Sequence, residues 1–107
     1  MPNAQDQQPH PPSKPWTFLT NHARVLLLVA SDPNTRLRSV AASIGITERA
    51  AQRIVADLEE AGYVSHEKIG RRNRYQVEAN AHLRHPLEHS IEIDKLISLF
   101  AGRGEVS

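Results

Sequence analysis

The stretch that most restricts how this chain can fold is Arg38 to Gly62, RSVAASIGITERAAQRIVADLEEAG. Leu37, Val40, Ala41 and Ile44 recur at i, i+3, i+4 and i+7, the period of one helical face. Gly45 follows at a C′ position, where a residue must tolerate positive φ. Thr47 can then cap a second helix, residues 47 to 61, whose inward set is Ala50, Ala51, Ile54, Val55 and Leu58, with Gly62 ending it. Two short helices joined by a tight glycine turn predict a helix-turn-helix. The small residues Ala41, Ala42, Ala50 and Ala51 let the two helices approach closely where they cross.

If Ile54 and Leu58 point inward, the 100° step of a helix puts Glu48, Arg49, Gln52, Arg53 and Ala56 on the opposite surface. Arginine can bond guanine O6 and N7, glutamine can bond adenine N6 and N7, and glutamate can accept from cytosine N4. That half of the helix therefore has the groups to read bases in a major groove. Thr47 and the backbone amides at the helix start suit a phosphate, and Arg36 and Arg38, at the start of the preceding helix, can add phosphate contacts.

Upstream, Ala23, Val25, Leu26, Leu27, Val29 and Ala30 predict a helix apolar on most sides, capped by Thr20 or Asn21 and stopped by Asp32-Pro33. Downstream, Tyr63 to Ile69 and Arg74 to Val77 flank the turn-forming tetrad Gly70-Arg71-Arg72-Asn73 and predict a β-hairpin. Between Ser65 and Tyr75, Lys68, Arg71, Arg72 and Arg74 stand against Glu67 alone, although the whole chain carries only +1. A basic hairpin directly after a helix-turn-helix reads as a wing, spanning 64–77, that lays Lys68, Arg71, Arg72, Asn73 and Arg74 on a phosphate backbone or in the adjacent minor groove.

The pattern RSVAASIGITERAAQRIVADLEEAGYVSHEKIGRRNRYQV resembles the winged helix-turn-helix of bacterial MarR/ArsR-type transcriptional regulators over about residues 20 to 79. Its most specific elements are the spacing of VAASIGIT, the LEEAGYV junction and GRRNRY at the wing tip. The resemblance implies a DNA-binding repressor or activator that dimerises through its terminal helices. The expected fold class is mostly α with a small β-hairpin: a three-helix core plus wing and a C-terminal dimerisation helix.

The ends of the chain are assigned by composition. Five of the seven prolines precede Trp16, so residues 1–15 are expected to be a disordered tail, 16–80 the winged domain, 81–102 the dimerisation helix and 103–107 a flexible end. Helical character is expected from Pro86 to Gly102. Its apolar residues Leu87, Ile91, Ile93, Leu96, Ile97 and Phe100, with Leu99, form a stripe broader than one small core would bury, which predicts a symmetric homodimer. His82, His85 and His89, with Glu88 and Glu92 nearby, are the weak candidates for zinc or nickel ligands, but their spacing is loose. No cofactor or resident metal is expected.

Composition narrows the remaining classes. At 107 residues, with 39% hydrophobic and 23% charged residues, the chain suits one globular domain. The absence of cysteine excludes disulfides, thiolate metal sites and cysteine nucleophiles. The longest apolar run, Val25 to Ala30, is far below the ~20 residues of a membrane helix, and no secretory signal is evident, so a soluble cytoplasmic protein is expected. No catalytic motif or glycine-rich phosphate loop is recognisable, and no enzyme activity is expected. A winged-helix module that binds another protein instead of DNA is the alternative; it would carry an aromatic-rich, charge-poor surface, whereas this chain is 5% aromatic and its candidate face is rich in arginine.

Overall fold

The computed structural model describes residues 16–106, and the proline-rich segment 1–15 and Ser107 lie outside the described residues. The element order is α1 (Asn21–Ser31), α2 (Leu37–Ile44), α3 (Glu48–Glu60), β1 (Val64–Ile69), β2 (Arg72–Val77) and α4 (Ile93–Val106). Four helices and one antiparallel hairpin in this order make a winged helix-turn-helix.

Local chemistry sets most helix ends. The Thr20 hydroxyl accepts from the Ala23 amide and caps α1, while Asp32 closes it ahead of Pro33. Gly45 ends α2 at φ 77°, in the left-handed region, and Thr47 starts α3 by accepting from the Ala50 amide at 3.0 Å. The turn between the two helices is thus closed by one residue that can adopt positive φ and one that can cap.

The core is shared by all the elements. Val25, Leu26 and Val29 of α1 meet Val40 of α2, Ile54, Val55 and Leu58 of α3, Val64 and Tyr75 of the hairpin, and Ile93 of α4. Tyr63, at the α3–β1 junction, is buried as well and donates from its hydroxyl to the His82 carbonyl at 2.9 Å. The C-terminal half of α3 is tied at two points: His22 Nε2 lies 2.8 Å from Asp57 Oδ2, and His66 contacts Glu59 from β1.

The hairpin turn is tighter than the expected tetrad. Only Gly70 and Arg71 form it, and Arg72 and Asn73 join β2, paired with Ile69 and Lys68. Gly70 has φ 65° and no other residue type among those described has positive φ, the arrangement of a type II′ turn, whose twist matches that of the strands it joins. Two more residue pairs thereby enter the ladder.

The C-terminal helix also differs from expectation: α4 begins at Ile93, seven residues after Pro86, and extends through Val106 into the segment expected to be flexible. A helix starting at Pro86 would bond the Ile93 and Asp94 amides to His89 and Ser90. Those amides bond instead to the carbonyls of Ala81 (2.7 Å) and Ala79 (3.0 Å). The His89 carbonyl is taken by His82 Nδ1 at 2.6 Å, and His82 and Glu92 form a bridge. The segment between is consequently a closed loop. Among the described residues, no helix is long and apolar enough to cross a membrane.

Candidate nucleic-acid interface

The apolar half of α3 is buried through Ala51, Ile54, Val55 and Leu58, which leaves Glu48, Arg49, Gln52, Arg53 and Ala56 exposed. Beside this face lies an open concavity of ≈ 410 Å³ between α3 and the hairpin. Glu48 and Gln52 line it from α3, Arg36 and Arg38 from the start of α2, and Arg71, Arg72 and Asn73 from the wing. Chain segments 35–38, 48–52 and 71–73 thus converge on one surface that carries four arginines against a single carboxylate. Glu48 is faced by Arg38, whose Nε stands 3.9 Å from Glu48 Oε1. With both side chains exposed to solvent, this pair contributes little to stability.

The remaining expected site residues are distributed around this centre. Arg49 and Arg53 are exposed on α3 without lining the concavity. Thr47 uses its side-chain oxygen as the α3 cap, keeping its own hydroxyl hydrogen free to donate. Lys68 is paired with Asn73 and so shares its side of the hairpin.

Arg74 is separated from the set. It stands opposite Glu67 in the ladder and lines a different groove, together with Asp94 and Ile97 of α4. Arg72 is partly diverted, because its Nη2 donates to the Asn34 carbonyl at 2.6 Å. Thr35, Leu37 and Tyr75 also line the concavity, and sequence reasoning did not include them. Their only sequence signal is adjacency to the arginines of 36–38 and 71–74; the folding of the α1–α2 loop against β2 is what brings them in.

The expected dimer residues divide into three groups. Ile93 is 2% exposed in the chain's own core and is unavailable to another chain, a correction that follows from where α4 starts. Leu96 and Ile97 are half-buried against their own domain. Leu87 (87% exposed) and Ile91 lie in the loop before α4, while Phe100 and, more strongly, Leu99 (69%) face outward from α4. Of the histidines, His85 Nδ1 accepts from the Leu87 amide at 3.0 Å and His82 bonds the His89 carbonyl, so both rings serve loop geometry. Among the described residues, no group of three His, Cys, Asp or Glu side chains is placed to hold a metal ion.

No curated protein and no solved structure matches the chain. A family model does. Residues 19–65, from the residue before the α1 cap to the second residue of β1, match the family described as winged helix-turn-helix DNA-binding.

Proposed function

We propose that this chain is a sequence-specific, double-stranded DNA-binding transcriptional regulator that works as a cytoplasmic homodimer, of the MarR/ArsR type that its motifs resemble. The observation that carries this reading is the convergence of Glu48 and Gln52 of α3, Arg36 just before α2, Arg38 of α2, and Arg71 of the wing on one open, cation-rich surface. An exposed helix face supplies donors and acceptors for base edges in the major groove, and the cations flanking it supply phosphate contacts. The family match over residues 19–65 supports the same partner. Leu87, Ile91, Leu99 and Phe100 supply exposed apolar surface for a second copy. A dimer would set two α3 helices against half-sites one helical turn apart, about 34–36 Å.

The test is selection of bound fragments from a random duplex library by the full chain. Enrichment of an inverted repeat with half-site centres about 10 base pairs apart supports both the partner and the dimer. Enrichment of a single unrepeated site supports DNA reading without the dimer. Recovery of a pool indistinguishable from the input overturns the reading.

A further inference from the structure

Arg71 and Arg72 are adjacent in sequence, yet the structure gives them different surroundings. Arg72 opens β2 and reaches back to the α1–α2 loop, where its guanidinium donates to the Asn34 carbonyl. Three residues further along the same strand, the Tyr75 amide donates to the Pro33 carbonyl at 2.8 Å. Consecutive carbonyls of one loop therefore hold two points of one strand. The loop is itself fixed by Asp32, whose carboxylate accepts from the Asn34 amide (3.2 Å) and whose carbonyl accepts from the Thr35 amide (3.0 Å).

A two-stranded hairpin is weakly stable alone, and its turn end is the part most free to swing. The Tyr75 bond lies well back from the tip. Among the described residues, Arg72 makes the hold nearest the tip. Arg71 sits in the turn beyond that hold, lines the concavity, and has no side-chain hydrogen bond or ion pair among the described residues.

We propose that Arg72 is a positioning residue that latches the wing to the α1–α2 loop and so presents Arg71 to DNA, without being a phosphate ligand itself. This rests on the DNA-binding reading above. Holding the tip before binding lowers the ordering cost at the moment of contact, which is how a residue that touches no nucleic acid raises affinity. Its action passes through Arg71.

The decisive experiment combines a double-mutant cycle with amide exchange. Binding of the full chain to its selected duplex is measured across a salt series for wild type, Arg71→Ala, Arg72→Ala and the double variant. The Tyr75 amide is followed by hydrogen exchange in the free proteins. The latch predicts that Arg72→Ala speeds Tyr75 exchange while leaving the α1 to α3 amides unchanged. It also predicts that Arg72→Ala weakens binding about fivefold in the wild-type background but less than about twofold once Arg71 is gone. In that second background the salt slope stays where Arg71→Ala left it. If the two losses multiply instead, and Arg72→Ala lowers the slope by a further ~0.9, Arg72 is a phosphate ligand and the proposal is overturned. Unchanged Tyr75 exchange overturns it equally. Failure of the DNA-binding reading would appear separately, as a wild-type chain that retains no duplex, and Tyr75 exchange would still decide whether the latch exists.

Discussion

Arg49 and Arg53 stand one turn apart on α3, both in solvent, with no acidic partner among the described residues. Arginines left free in this way have their donor forks available for a guanine edge. Arg49→Ala and Arg53→Ala should each cost about 1–3 kcal/mol on the selected site and relax discrimination at one base position, read by gel shift against single-base variants. An equal loss on all sequences would move them to phosphate contacts. Thr47 acts on a different quantity, because its side-chain oxygen satisfies an otherwise orphaned amide at the start of α3. Thr47→Ala should lower stability by ~1 kcal/mol in denaturant titration, whereas Thr47→Ser should retain most of it. The cap and the arginines were legible in the sequence, since each depends on residues within one helix. The partner of Arg72 was not, because Asn34 lies 38 positions away and is met only through a backbone carbonyl.

At the scale of elements, the helix-turn-helix depends on Gly45. A Cβ placed there would meet no atom within 4 Å, so the cost of substitution is one of backbone conformation alone. Gly45→Ala should therefore destabilise the chain by about 1–2 kcal/mol and Gly45→Asn by less, measured by thermal or urea unfolding. The same period-and-punctuation reasoning that located α2 and α3 misplaced the start of α4. Pro86 is a sound first-turn residue by local preference. Here, however, the Ile93 and Asp94 amides find carbonyls at Ala81 and Ala79, and local preference yields to that pairing. The wing erred in the other direction: the glycine needed for a two-residue turn was present, and the ladder closed further than the tetrad suggested.

For the whole molecule, the decisive feature is how the apolar surface of α4 is divided. Ile93 enters the core, Leu96 and Ile97 are half-covered, and Leu99 is left outside. Leu99→Asp and Leu87→Asp remove exposed apolar groups without opening a core cavity. In the proposed dimer they should shift sedimentation toward the monomer while the far-ultraviolet circular dichroism stays unchanged. Wild-type protein that sediments as a monomer at all accessible concentrations would remove the dimer from the reading. Arg74 makes the same point electrostatically: it belongs to the basic run in sequence, yet it is paired with Glu67 in the ladder and lines the groove that Asp94 also lines, not the arginine-lined concavity.

The sequence by itself determined the three core helices, the caps of α1 and α3, the glycine turn, the hairpin and the exposed polar half of α3. Each of these follows from side-chain period and backbone preference over a few residues, interactions that any short stretch of chain already contains. Tertiary structure alone decided which cations gather beside that half, where α4 starts and which of its apolar residues remain outside. Those outcomes depend on carbonyls and side chains brought together from distant positions, and such meetings exist only once the chain has closed on itself.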